Sequence, residues 1–153
     1  MTTDSKTDRP KHPRWTPENI MRFWDYWSHR TDRDAWYFSY AQGPGILNFC
    51  KWYGLFQGDV LDYGFARGFF LDHLLKEKGV TVSGLEFSED STTRVNEIHK
   101  NKPHWKGAVK VGMLPSSLQK DKFDLVFCIE VIEHLLDEWV NDTFQELYRV
   151  TKP

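Results

Sequence analysis

Cysteine is scarce in this 153-residue chain, and both copies, Cys50 and Cys128, sit in apolar segments. Two such residues make no disulfide framework and read as buried free thiols of a reducing compartment. No apolar run approaches the roughly 20 residues of a membrane span. The N-terminus "MTTDSKTDRPKHPRW" has no apolar signal core. Charge of one sign is also lacking. The net charge of −2 gives no electrostatic argument for nucleic acid as a partner. These absences exclude a secreted disulfide scaffold and a membrane span, and make a cytoplasmic protein the default expectation. Aromatic residues are abundant at 16%, and the seven tryptophans lie mostly in the first third.

Residues 1–14 are polar and aperiodic and read as a disordered tail. A helix is predicted from "WTPENIMRFWDYWSHR", with Thr16 as N-cap and Pro17 at the first helical position. Ile20, Phe23, Trp24 and Trp27 recur at i, i+3, i+4 and i+7. That stripe is read first as a core-facing surface and second as a lid over a substrate pocket. Residues 31–42 carry no clear signal. "GILNFCKWYGLF" predicts a second helix ending near Gly54. The expected division is a helical cap over 15–42 and a main domain over 43–153.

From residue 58 the rhythm changes. Strands are predicted at Asp59–Asp62, Val80–Glu86, Ala108–Val111 and Phe123–Ile129. Helices are predicted at Gly68–Lys78, Ser88–Asn101 and about His134–Val150. Alternating strands and helices imply right-handed crossovers and an α/β, Rossmann-like doubly wound parallel sheet. Ligands of such sheets bind beyond the carboxyl ends of the strands.

The first strand–helix turn is "GDVLDYGFARGFF". A G-x-G-x-x-G/A dinucleotide fingerprint would need a small residue where Phe69 stands, so the fit is poor. The spacing D-x-G-x-G-x-G fits at Asp62, Gly64 and Gly68, with Ala66 in the middle. The turn resembles motif I of the class I S-adenosylmethionine-dependent methyltransferases. "VSGLEFSED", "KFDLVFCIEVIEHLLDEW" and "FQELYRVTKP" then come in that family's order. The resemblance covers about residues 43–153. The "EVIEHL" segment is closest to small-molecule O-methyltransferases and to methyltransferases of polysaccharide and natural-product clusters; it also matches a segment of small-RNA 2′-O-methyltransferases, and it does not choose between these.

That resemblance implies a sheet order of 3-2-1-4. It implies S-adenosyl-L-methionine as cofactor, with S-adenosyl-L-homocysteine as product. It places cofactor contacts at Asp62, Tyr63, Gly64, Ala66, Gly68, Glu86, Phe87, Met113, Leu114, Cys128 and Ile129. Glu86 would hold the ribose hydroxyls. The implied acceptor is a small molecule, methylated at a hydroxyl oxygen. A cofactor-binding or scaffold module without turnover is the alternative. Arg30, Arg33 and Tyr40 are the candidates to reach the methionine carboxylate.

Three departures stand out. Ala66 replaces a glycine, and the position is expected to need no positive φ. Met113 stands where an acid often reads the adenine, so it is left to pack on the ring face. The family's strands five to seven have no counterpart before Pro153. A bare fourth-strand edge is therefore expected, offering a surface for self-association.

For chemistry, Glu133 and His134 are the catalytic candidates. On a helix, Glu130, Glu133 and His134 would share one face. His134 then serves as general base, or all three bind a divalent metal, or Glu133 merely favours a helix N-terminus. No resident metal is expected.

Overall fold

The computed structural model describes residues 15–153, so the tail expected over 1–14 lies outside the described residues. Helix α1 (Pro17–Ser28) starts as the sequence predicts. Thr16 accepts a hydrogen bond from the Asn19 N–H at 3.2 Å, and Pro17 fills the first turn. A 3₁₀ turn over Thr31–Trp36 leads to helix α2 (Phe38–Trp52).

The sequence reading places the start of α2 too late. Pro44 stands inside the helix, between two glycines, and breaks the apolar rhythm. Gly43 has a packing reason: a Cβ there would come within 2.7 Å of the His73 ring, so its absence lets α2 lie close on the next helix. The expected boundary at 42/43 falls inside α2.

The sheet has four parallel strands: β1 (Gly58–Tyr63), β2 (Val80–Glu86), β3 (Trp105–Lys110) and β4 (Leu125–Cys128), in the order β3-β2-β1-β4. Helices α3 (Phe69–Leu74) and α4 (Glu89–His99) make the crossovers, and α5 (Asp137–Val150) follows β4. Strand alternation sorts the core into two layers. Val60, Val82 and Phe127 face one way, with Leu47 of α2, Leu71 and Leu74 of α3 and Val95 of α4. Leu61, Tyr63 and Leu85 face the other, against Val150 of α5. A central sheet covered on both faces explains why β1 from Val60 onward and nearly all of β2 are buried residue after residue.

Three more boundaries differ from the expectation by about three residues or more. Helix α3 stops at Leu74, because Lys76 and Glu77 donate to carbonyls three residues back and Gly79 turns the chain at φ +84°. Strand β3 begins earlier, at Trp105; Gly107 and a register shift beside it interrupt its alternation. Helix α5 begins at Asp137 rather than His134. The outer edge of β4 is not wholly bare: Phe123 pairs with Thr151 in parallel sense, and the Lys152 N–H donates to the Phe123 carbonyl at 2.8 Å. Cys50 is buried and Cys128 half-buried, both free thiols. Among the described residues no helix is long and apolar enough to cross a membrane.

Candidate functional site

The turn between β1 and α3 is built on three positive φ angles: Gly64 at +76°, Ala66 at +47° and Gly68 at +83°. The expectation for Ala66 is therefore corrected. A non-glycine residue in this region costs about 1 kcal/mol or somewhat more, because its Cβ crowds the carbonyl oxygen. What holds it there is Glu86. Its carboxylate accepts from the Ala66 N–H at 2.6 Å, the Phe87 N–H at 2.6 Å and the Ser88 N–H at 3.1 Å. Gly64 is fixed more tightly: an added Cβ would lie 2.4 Å from Val131.

These groups border a cavity of about 530 Å³. Tyr63, Gly64, Ala66, Glu86, Phe87, Met113 and Leu114 line it, all residues that the resemblance names as cofactor contacts. Met113 does so from the rim, 84% exposed. A carboxylate offers about four acceptor positions. The backbone takes three on Glu86, which leaves capacity for a ligand hydroxyl. Burial raises the Glu86 pKa against the pull of those three N–H groups. The sequence reading missed the floor, where Trp139, Asp142 and Thr143 of α5 also line the space. Trp139 lies 5.6 Å from Phe87, ring to ring.

A second cavity, of about 230 Å³, adjoins the first and shares Trp24, Gly64, Ala66, Glu130 and His134 with it. Asp62 and Ile129 line this one. Asp62 is 2% exposed, and its Oδ2 has no hydrogen-bond partner. Burial, with Glu86 nearby, pushes its pKa up to about 8. Such a carboxyl is poised for a cationic or hydrogen-bond-donating ligand.

Trp24 lines both cavities and meets the His134 ring edge-on at 5.0 Å. Only Ile20 of the apolar stripe is buried. Phe23, Trp24 and Trp27 are half-buried and line the second cavity, so the stripe is not wholly taken up by the core.

Several expected site residues stand elsewhere. Gly68 and Cys128 line neither cavity. Gly68 instead caps α3, and burial, with Asp62 and Glu133 close by, pushes the Cys128 thiol up to about 11. Arg30 is engaged with Asp32 and Tyr26, Arg33 lies over Trp36, and Tyr40 meets Phe69. None of the three lines either cavity.

The shared helical face of Glu130, Glu133 and His134 does not form. Glu130 has φ +54°, and Ile132–His134 is a 3₁₀ turn. Glu130 and His134 reach the cavities, whereas Glu133 lines neither. Among the described residues no three His, Cys, Asp or Glu side chains converge to hold a metal ion.

The donor set fits S-adenosylmethionine: an orphaned buried carboxyl for an ammonium, a second carboxylate for ribose, and apolar walls for a flat base.

Comparison with known proteins agrees. A family model described as "Methyltransferase domain" matches residues 60–153. No curated protein matches by sequence. Among solved structures, a SAM-dependent methyltransferase from Aquifex aeolicus is 21% identical, with a TM-score of 0.61, over 92% of this chain and 69% of that one. Haemonchus contortus phosphoethanolamine N-methyltransferase 1, solved with phosphoethanolamine and S-adenosylhomocysteine, is 19% identical. Its TM-score is 0.68, over 90% of this chain and 31% of that one. A SAM-dependent methyltransferase from Leishmania major is 15% identical, with a TM-score of 0.68, over 90% of this chain and 57% of that one. The chain thus spans 69% of the first relative's length and less of the other two.

Proposed function

The chain belongs to the family of S-adenosylmethionine-dependent methyltransferase domains, and on that premise we propose that it transfers a methyl group to a hydroxyl oxygen of a small-molecule acceptor. The observation that carries this reading is Asp62. Its buried, unpartnered carboxyl sits beside the glycine-spaced turn, and its backbone pairs in register with Gly84, two residues before Glu86.

When bound, the cofactor supplies an electrophilic methyl group on a sulfonium. Asp62 holds the ammonium of its methionine part. Glu86 accepts from its ribose. Phe87, Leu114 and Met113 border the adenine. The chain's task is then alignment, which in-line displacement rewards strongly. His134, in the wall shared by both cavities, takes the proton that the acceptor hydroxyl gives up. Glu133 is no longer assigned a part, since it faces neither space.

The acceptor is proposed to be a small molecule rather than nucleic acid, given the net charge of −2 and the modest volume of the second cavity. A cytoplasmic setting is proposed from the free thiols of Cys50 and Cys128.

Calorimetric titration with S-adenosylhomocysteine, with NADH as control, tests the cofactor reading. Saturable binding of S-adenosylhomocysteine alone is expected. Tighter binding of NADH would overturn it. A panel of hydroxylated acceptors with labelled cofactor then tests transfer. Cofactor binding without transfer to any of them would favour the binding-module alternative.

A further inference from the structure

The second cavity has a composition that the cofactor does not use up. Trp24, Trp27, Trp36 and Phe38 give it aromatic walls, and Asp62 and Glu130 give it two carboxyl groups. Among the described residues, no Lys or Arg lines either cavity. An anionic acceptor would therefore meet Glu130 with no Lys or Arg side chain to offset it.

We propose that the second cavity is a cage for an organic cation, so that the acceptor carries an ammonium group and neither phosphate nor carboxylate. This rests on the cofactor reading above and goes beyond it to the class of acceptor. S-adenosylmethionine carries two positive groups and one carboxylate, a net charge of one. With its ammonium on Asp62, Glu130 is left facing the remaining space. Aromatic faces attract cations through the ring quadrupole, and more strongly where water is excluded.

The rings at the rim already act in this way. The Arg33 guanidinium lies 3.9 Å from the Trp36 ring centre, and that of Arg30 lies 5.8 Å from Trp27. Both guanidinium groups pair with the single carboxylate of Asp32, Arg30 at 2.6 Å and Arg33 at 3.5 Å.

The test compares choline with its uncharged isostere, 3,3-dimethylbutan-1-ol, and with phosphocholine. Each is titrated into the 153-residue chain, with and without saturating S-adenosylhomocysteine. Choline is expected to bind roughly fivefold or more tightly than the isostere. Phosphocholine is expected to bind more weakly than choline. Glu130→Gln should weaken choline and leave the isostere unchanged. Trp36→Leu should also narrow the preference. Trp36 is 71% exposed, so this variant does not open the core.

Equal affinity for choline and isostere, no binding of either, or tighter binding of phosphocholine would overturn the cage. Failure of S-adenosylhomocysteine to bind, with the choline preference intact, would overturn the cofactor reading instead. The two failures are thus separable.

Discussion

A carboxyl group that is 2% exposed, with one oxygen unpartnered, raises the energy of the ligand-free fold. For Asp62 the cost depends on pH. Its folded pKa, about 8, lies above its ordinary value of 3.8. Between those values the folded chain holds a proton that the unfolded chain has lost. Stability therefore falls as pH rises from about 4 to about 8, by up to ~1.4 kcal/mol per pH unit from this group. Asp62→Asn removes that dependence. Urea unfolding at pH 5 and pH 8 should show the variant gaining on the parent chain by at least ~1 kcal/mol more at pH 8. Glu86, also raised, and His99, lowered by burial, remain in both proteins and largely cancel in the comparison. The same variant should lose affinity for S-adenosylhomocysteine by tenfold or more, roughly the worth of a charge-assisted hydrogen bond. A constant difference across pH would mean that Asp62 is not the strained group. Ala66 is a second cost at the same turn, with its φ of +47° held against Glu86. Folding energy spent at both positions matches a turn shaped for a ligand rather than for itself.

Between elements, the decisive contact is Arg67, which lies in the turn and is almost fully buried. Its guanidinium donates to the Asp34 carboxylate and to the Arg30 carbonyl, both in or beside the 3₁₀ turn that follows α1. Arg94 of α4 donates to the Arg67 carbonyl at 2.6 Å. Two further ties hold α1 over α4: Ser88 to Asp25 at 2.6 Å, and His29 to Asp90 at 2.9 Å. The cap is thus latched onto the cofactor turn itself. Arg67→Met keeps the apolar stem and removes the latch. The loss should be about 1–2 kcal/mol, discounted because Asp34 is about one-third exposed. Hydrogen exchange should quicken over residues 17–36 while β1 and β2 stay protected. Uniform quickening, or none, would refute the latch.

How much of this is legible in the sequence depends on the range of each signal. Strands β1 and β2 and the Ser88 cap are local patterns and can be read directly. The first half of α2 is hidden by Gly43 and Pro44, which depress helix propensity but suit a close helix contact. The Glu130–His134 face fails because it assumes helix phase across a residue at φ +54°. The turn glycines and Asp62 emerge from a spacing that resembles the family's first motif, and Glu86 from that resemblance alone. Trp139, Asp142 and Thr143 do not, because only the β4–α5 connection brings them under the cavity. The Arg67–Asp34 contact spans 33 residues and leaves no periodic trace.

At the scale of the whole molecule, the question is whether cap and sheet melt together. Leu47 and Cys50 of α2 share one core cluster with Val60 and Val82 of the sheet. Ile20 of α1 is buried, and Arg67 joins the cap to the turn. A core common to both layers predicts one cooperative transition. A ligand that binds only the folded state stabilises it by about 2.7 kcal/mol at one hundred times its dissociation constant. For a chain of this length, each kcal/mol moves the midpoint by roughly 2–4 °C. S-adenosylhomocysteine at that excess should therefore raise the single melting midpoint by roughly 5–10 °C. Scanning calorimetry reads both quantities at once. Two transitions, with only the upper one shifted, would mean that the cap is a separate cooperative unit and that the cofactor sees only the sheet. The lid reading of Trp24 and Trp27 would then fail, because a lid that closes on the bound state must share in its stabilisation.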